Sequence, residues 1–532
     1  MTETRIIGLA ASSGLARGRW AALARQARLH EASDDPAQEA AALKAAIDRA
    51  GEQLAALIAD GDAMGGEVLG FQLAILEDSE LTDPAFAAIK AGAPADQAWR
   101  DALAAEIANY ATAEDPYFQA RAADFEDLRD RVLDCLSGAD GSHGLEPGAI
   151  IVAEDVTPSR FLSIDWSQGG ALVLGAGSPS SHVAMLARAR GVPMVVNAPI
   201  AEAAPGLMML VDGGSGEILL DPSPLSERAF ERRLADQKQA AARAAGFLFK
   251  PAVTADGVAI SVQVNLGDPS ELEGLDPALC DGVGLVRSEF LFHDRPSQPD
   301  EETQYQAYRR IVEWAAGRPV TIRTLDAGGD KPVPGLTIDG ESNPFLGVRG
   351  LRLSLRRPET FHIQLRALLR AAIHGDVRVM LPMVTLPREL TAAREAMAAA
   401  VASLEADKLP FRRVPLGIMV EVPAAALAID LFDADFYSIG SNDLAQYVAA
   451  AGRDIGAVAD LQEPVGPAML RLIADVAAHG RKTGAEVCLC GDAGGDPAMV
   501  EPLLRAGLRS LSMAPSRVGP AKAAIAATAL KA

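Results

Sequence analysis

The stretch LGIMVEVPAAALAIDLFDADFYSIGSND, residues 416–443, decides the fold. It holds two short apolar runs, LGIMVEV (416–422) and FYSIGSND (436–443), separated by alanine, leucine and isoleucine at helical spacing. Each run closes on a carboxylate, Glu421 in the first and Asp443 in the second. A short continuous apolar run suits a strand buried on both faces, and a helix between two such strands suits a parallel sheet. Working outward, the same texture recurs upstream in AISVQVN (259–265), GVGLVRSE (282–289), PVTIRTLD (319–326) and VRVMLPM (377–383). Downstream it recurs in EVCLCGD (486–492) and RSLSMAP (509–515). Eight buried parallel strands alternating with helices predict a (β/α)8 barrel, a fold whose chemistry sits at the C-terminal strand ends. Arg287, Glu289, Arg323, Asp326, Glu421, Asn442, Asp443 and Cys490 all fall at those ends, so an active-site rim is expected there.

The first half of the chain has a different grain. From Pro36 to Leu136 apolar and charged residues alternate at three- and four-residue spacing, which predicts four or so helices. Asp83-Pro84 and Asp115-Pro116 read as helix starts and Gly92-Ala93-Pro94 as a stop. The runs AIIVAED (149–155), GALVLG (170–175), VPMVVN (192–197) and LMMLVDG (207–213) predict a small α/β domain. The opening IIGLAASSGLARG reads as a short strand and turn joining it. Residues 222–247 are polar, charged and free of proline after Pro224, as a linker helix would be. The expected division is an α/β domain from 1–20 and 146–221, a helical insert at 21–145, a linker helix at 222–250 and the barrel at 251–532.

Composition narrows the function. The 532 residues are 49% hydrophobic and 23% charged, enough to bury full cores. Acidic residues number 71 against 49 basic ones, a formal charge of −22. Such a field opposes non-specific binding to nucleic acid or anionic membrane and favours a basic protein partner. The 4 cysteines of so long a chain do not make a disulfide framework. No segment has the length and apolarity of a signal peptide core or a membrane span, so a soluble cytoplasmic protein is expected.

Residue chemistry then suggests roles. Two carboxylates at neighbouring strand mouths, Glu421 and Asp443, can hold a hard divalent cation such as Mg²⁺ or divide acid and base work between them. Arg287, Arg323, Arg349 and Arg453 lie at or after strand ends, and several guanidinium groups on one rim point to a multiply charged anion. Lys331, after the glycines of AGGDK, adds a point charge. Cys488 and Cys490 share one face of their strand, and Cys490, nearer its C-terminal end, is placed to exchange a proton with a bound substrate. His182, in GSPSSHVAMLARARGVP, sits beside a predicted helix N-terminus, where an anion is favoured and a neutral imidazole can accept a phosphoryl group.

GSPSSHVAMLARARGVPMVV resembles the phosphohistidine signature of the phosphoenolpyruvate (PEP)-utilising enzymes. GVGLVRSEFLF, TIRTLDAGGDK, NPFLGVRG, IMVEVPAA, SIGSNDLAQY and LCGDAGGD match the same group in order. The helical stretch with FQLAILEDSEL and YFQARAADFEDLRDR, after an opening ASSGLARG, is similar to the enzyme I branch of the sugar phosphotransferase system. That resemblance implies phosphorylation of His182 at Nε2 by PEP and release of pyruvate. It implies a substrate-binding set of Arg287, Arg323, Asn442, Asp443, Arg453, Arg349 and Lys331, with magnesium (Mg²⁺) on Glu421 and Asp443. Cys490 would protonate the enolate carbon. The helical insert, acidic at Glu77, Asp78, Glu80 and Asp83, would dock the histidine phosphocarrier protein HPr, and the barrel would form a homodimer. Ser178 and Ser180 replace a glycine and a threonine of the usual signature and keep small size, so activity is expected to survive. Asp492 stands where glutamate is usual. An ATP-dependent dikinase or synthase would need a large nucleotide-binding domain, for which the residues ahead of the phosphohistidine region leave no room. A sensor without turnover would lack some of His182, Arg287, Arg323, Glu421, Asp443 and Cys490, and all are present.

Overall fold

A computed structural model describes residues 3–22, 30, 32–60, 63–76, 78–111, 116–138, 146–179, 181–199, 206–292, 298–329, 331–338, 340–452, 455, 458 and 461–530. The chain forms two compact units, Met1–Gln237 and Lys238–Ala532.

The first unit carries an eight-stranded sheet. Its strands are β1 (Thr4–Ile7), β2 (Leu9–Ser12), β3 (Leu15–Ala22), β4 (Ile150–Ala153), β5 (Ala171–Leu174), β6 (Met194–Val196), β7 (Met208–Asp212) and β8 (Glu217–Leu220), in the spatial order β1-β8-β7-β3-β4-β5-β6-β2. The central strands β3 to β6 run parallel, and β2, β7 and β1 close the sheet with antiparallel pairings. Three strands occupy the opening segment, where the sequence suggested one strand and a turn. The breaks fall at Gly8 and at Gly14, whose φ of +138° suits glycine alone. β8 was not anticipated either; it pairs with β7 through a tight turn in which the Asp212 carboxylate accepts from the backbone N–H of Gly214 (3.0 Å) and Ser215 (3.2 Å).

Five helices fill the insert between β3 and β4: α1 (Pro36–Asp60), α2 (Ala63–Leu76), α3 (Ser79–Lys90), α4 (Ala95–Ala111) and α5 (Pro116–Leu136). Pro84 does not begin a helix as expected. It lies inside α3, whose cap is Asp78, with its side chain accepting from the N–H of Glu80. Asp115 lies outside the described residues. The stop at Gly92–Pro94 holds: α3 ends before it, and α4 restarts with the Ala95 N–H donating to the buried Glu39 carboxylate of α1 at 2.6 Å. Leu43, Leu54, Trp99, Leu103 and Leu128 make the centre of this bundle. Buried Asp127 of α5 accepts from Gln72 Nε2 and from both the N–H and hydroxyl of Ser159, tying the bundle to the short helix α6 (Pro158–Leu162). Helix α7 (His182–Ala189) follows β5, and α8 (Pro224–Ala245) follows β8.

The second unit is a closed, all-parallel barrel. Its strands are β9 (Ser261–Leu266), β10 (Val283–Val286), β11 (Val320–Arg323), β12 (Val377–Leu381), β13 (Leu416–Val420), β14 (Phe436–Ile439), β15 (Glu486–Leu489) and β16 (Ser510–Met513). Closure comes from β16 pairing with β9, Ser510 opposite Ser261. Seven lie within the segments read from the sequence, and β9 runs one residue past its segment, to Leu266. The expected end of the sixth differs more: β14 stops at Ile439, and Ser441–Ala449 is helical. Asn442 and Asp443 therefore sit in the first turn of a helix, where a carboxylate meets the positive end of the dipole. Among the described residues no helix is long and apolar enough to cross a membrane.

Candidate active site

The barrel mouth opens into a cavity of about 390 Å³, lined by Leu285, Arg287, Arg323, Lys331, Met419, Glu421, Gly440, Asn442, Asp443, Cys490, Gly491 and Asp492. Five of the eight barrel strands or the loops after them contribute. Seven residues singled out from the sequence thus converge: Arg287, Arg323, Lys331, Glu421, Asn442, Asp443 and Cys490. Arg453, and with it Ser180 and Glu77, lies outside the described residues.

A buried ionic network supports this lining. Arg323, at the end of β11, pairs through Nη2 with Glu289 Oε1 at 2.6 Å and through Nη1 with Asp326 Oδ2 at 3.2 Å. Asp326 is fully buried and also faces Lys331 Nζ at 3.5 Å. Arg349 is fully buried too, and it does not line the cavity as a substrate-binding residue would. It bridges two carboxylates, with Nε and Nη2 each 3.0 Å from Asp326 and Nη1 and Nη2 at 3.1 and 3.0 Å from Asp443. The planar guanidinium matches both carboxylates in fork geometry. Gly328, with φ +113°, lets the loop lie against the Arg349 backbone: a Cβ there would stand 2.8 Å from the Val348 carbonyl. Glycine in AGGDK is thus explained by packing. Burial disfavours ionised Asp326, yet Arg323, Arg349 and Lys331 outweigh it and hold the carboxyl well below the usual range. Burial likewise opposes the charge on both arginines, and the surrounding carboxylates override it. The brace stays ionised at any physiological pH.

Glu421 behaves differently. Burial, then the charges of Asp443 and Asp326, push its carboxyl up to about 8 against the pull of Arg323 and Arg349. Its Oε1 accepts the backbone N–H of Met383 at 2.6 Å, made available by a left-handed turn with φ +56° at Met383. Among the described residues no donor reaches Oε2. An acid strained upward by neighbouring acids is a position that a cation would relieve, and two carboxylates on adjoining strand mouths suit a hard divalent ion that keeps further positions for water and substrate. No group of three or more His, Cys, Asp or Glu among the described residues forms a closed metal cage. Glu421, with Oε2 facing no described donor, and Asp443, shared with Arg349, are the two carboxylates that fit such an ion.

Anion-binding capacity is left over. Arg323 Nε is buried without a partner, and Arg287 lines the cavity with Glu271 as a charged neighbour. Cys490 sits with Leu285, Met380, Met419 and Phe436 in an apolar patch inside the barrel. Burial pushes its thiol up to about 11, and its Sγ donates to the Ile439 carbonyl at 3.6 Å. Cys488 also faces inward but lines a smaller void deeper in the barrel with Gln263, Ser438 and Glu486. Only Cys490 reaches the mouth.

In the first unit, His182 opens α7, half-buried, directly after the cap Ser181, whose hydroxyl accepts from the Ala184 N–H at 3.2 Å. Arg188 Nη1 donates to the carbonyls of Ala11 (2.7 Å) and Pro179 (2.8 Å), fixing the loop ahead of His182 against β2. Sequence reasoning missed the bracing roles of Glu289 and Asp326, which it noted only as rim residues. The signal was the three-residue step from Arg323 to Asp326.

Comparison with known proteins agrees with this geometry. Residues 7–121 match the N-terminal domain of PEP-utilising enzymes, 145–216 their mobile domain and 241–530 their PEP-binding domain. The chain belongs to the PEP-utilising enzyme family. The phosphoenolpyruvate-protein phosphotransferase of Geobacillus stearothermophilus is 35% identical over 548 residues, covering 98% of this chain and 93% of that protein. The protein of the same name from Haloferax volcanii is 40% identical over 467 residues, covering 85% and 80%. A multiphosphoryl transfer protein of Xanthomonas campestris is 36% identical over 546 residues, covering all of this chain and 64% of its own length. This PEP-utilising enzyme is accordingly a phosphotransferase that draws on PEP.

Proposed function

We propose that the enzyme moves the phosphoryl group of PEP to Nε2 of its own His182, releases pyruvate, and then passes the group to a histidine of HPr. The observation that carries this reading is the barrel mouth, where arginine donors, the Glu421 carboxylate beside the Arg349-bound Asp443, and the Cys490 thiol share one cavity. Arg287, Arg323 and Lys331 would hold the phosphate and carboxylate of PEP, with Asn442 and Arg453 assisting, while Arg349 fixes Asp326 and Asp443. Glu421 and Asp443 would hold a divalent metal, Mg²⁺ in this reading, which when bound supplies positive charge to the phosphate and enolate oxygens. Phosphoryl transfer runs through a loose transition state, so positioning and charge neutralisation do most of the work. The bond between phosphorus and the enol oxygen breaks as the His182 Nε2–phosphorus bond forms. The enolate carbon then takes the proton of Cys490 Sγ, giving pyruvate and a thiolate that is later reprotonated by solvent. The thiol's high affinity for its proton keeps it loaded at neutral pH, the state an acid needs. The acidic face of the helical insert favours a basic carrier. A cytoplasmic homodimer completes the reading.

The test is pyruvate release from PEP by the purified protein with Mg²⁺, with and without HPr, alongside acid-labile phosphate on the protein. A stoichiometric burst that becomes turnover when HPr and a phosphate sink are present is the expected result. Labelling of His182→Ala from PEP would overturn the acceptor assignment, and a folded wild type that yields neither pyruvate nor phosphohistidine would overturn the whole reading.

A further inference from the structure

Asp492 has no part in the reading above, although it lines the same cavity. It follows β15, and it meets Asn442 in the first turn of the Ser441–Ala449 helix through two hydrogen bonds. Asn442 Nδ2 donates to Asp492 Oδ2 at 2.9 Å, and the Asp492 backbone N–H donates to Asn442 Oδ1 at 3.1 Å. A carboxylate can only accept and a backbone N–H can only donate. Together they permit one orientation of the Asn442 amide and forbid the flipped one, in which both contacts would become repulsive.

The close approach is built into the packing. Gly491 lies against Ser441, and a Cβ at that position would overlap the Ser441 hydroxyl and stand 2.9 Å from its backbone nitrogen. Only glycine brings the loop near enough for the residue after it to reach Asn442. The short aspartate side chain then spans the remaining gap.

From this we infer that Asp492 is a positioning residue that locks the Asn442 amide with its second N–H, rather than its carbonyl oxygen, available to an oxyanion in the barrel mouth. The inference rests on the proposal that PEP binds in this cavity. An unlocked amide presents oxygen as readily as N–H, and oxygen facing phosphate is a repulsive contact. Asp492 itself brings a negative charge to an anion site, and Arg287, Arg323 and Lys331 in the same lining offset it. The residue thus acts through Asn442 and not on the substrate.

A double-mutant cycle tests this, using the full-length enzyme with Mg²⁺ and HPr and reading KM and kcat for PEP separately. Asp492→Ala is expected to raise KM for PEP about tenfold, the scale of one charge-assisted contact, with kcat within about twofold. Asn442→Ala should do the same, and the double variant should be no worse than either single one, because both remove one unit. Asp492→Glu, which keeps the acceptor and the backbone N–H, should recover most of the loss. Independent, multiplicative effects of the two substitutions would overturn the inference, as would an unchanged KM in Asp492→Ala. Those outcomes leave the phosphotransfer reading intact; a wild type that makes no pyruvate from PEP overturns both.

Discussion

Replacing Arg349 with methionine tests the claim that this arginine braces the site. The side chain is fully buried and makes four contacts of 3.0–3.1 Å to two carboxylates. Methionine fills much of the volume and removes the charge, leaving the buried Asp326 and Asp443 to face each other without the cation between them. Removing one partner of a buried pair typically costs about 3–5 kcal/mol, against about 0–1 kcal/mol for an exposed pair. For a unit of this size each kcal/mol moves the midpoint by roughly 2 °C, so the barrel transition should fall by roughly 6–10 °C. Scanning calorimetry of the full chain reads it, with Arg413→Met as the control, since Arg413 is exposed and lies 3.8 Å from Glu405. The control should shift by less than about 2 °C. The pH dependence gives a second handle. Asp326 titrates below its unfolded value of about 4, so its contribution to wild-type stability is complete above that pH and is lost as pH falls toward the folded value. Without Arg349 that depression shrinks, and the gap between variant and wild type should hold from pH 6 to about pH 4 and narrow as the pH falls below about 4. A variant as stable as the control, or a gap that ignores pH, would refute the bracing argument.

Further outcomes follow from the same geometry. Cys490→Ala should slow pyruvate formation by about 10²–10⁴-fold, the usual worth of a general acid, while phosphohistidine still accumulates. Because the Cys490 thiol is held near 11, pyruvate release in the wild type should show no loss from thiol ionisation below about pH 10; an alkaline limb near pH 8.5 that vanishes in Cys490→Ser would contradict this. Glu421→Gln should weaken divalent-ion binding, measured by titration calorimetry without substrate, at least about tenfold, and unchanged binding would remove Glu421 from the metal site. Gly491→Ala should raise KM for PEP as the loop is forced off Ser441, and lower stability by about 1–3 kcal/mol, the range for overpacking.

The barrel was legible because all eight strands are buried on both faces, so each appears as an apolar run ending in a polar residue whatever its neighbours are. The first-unit strands around Gly8 and Gly14 were not, since alanine and glycine have little β preference and their pairing depends on partners such as Val195 and Val211, far along the chain. Pro84 misled for a related reason: proline at a helix start and proline within the second turn share the same neighbours in sequence, and only the Asp78 cap distinguishes them. Arg349 and Arg323 look alike as arginines near strand ends. Their fates diverge because Arg349 meets carboxylates 23 and 94 residues away, a closure that no local pattern encodes.

That closure also answers how a chain of charge −22 can attract an anion. Around the mouth, the described cations are Arg287, Arg323, Lys331 and Arg349, and the described carboxylates are Glu289, Asp326, Glu421, Asp443 and Asp492. Four against five leaves the site one negative charge in excess if every acid is ionised, a poor receptor for PEP. Three of those acids, Glu289, Asp326 and Asp443, lie against buried arginines, which confines their fields. Asp492 is tied to Asn442. Glu421 is the least compensated of them: burial and the neighbouring Asp443 and Asp326 outweigh the pull of Arg323 and Arg349 and raise its affinity for a proton. A divalent cation on Glu421 and Asp443 reverses the sign of the whole mouth, from one excess negative charge to one excess positive charge. On the proposed reading, the acids that dominate the sequence are compatible with a phosphate substrate because the fold pairs most of those at the mouth with arginines and leaves Glu421 beside Asp443 to hold a metal. On this arithmetic, PEP affinity and metal occupancy rise together.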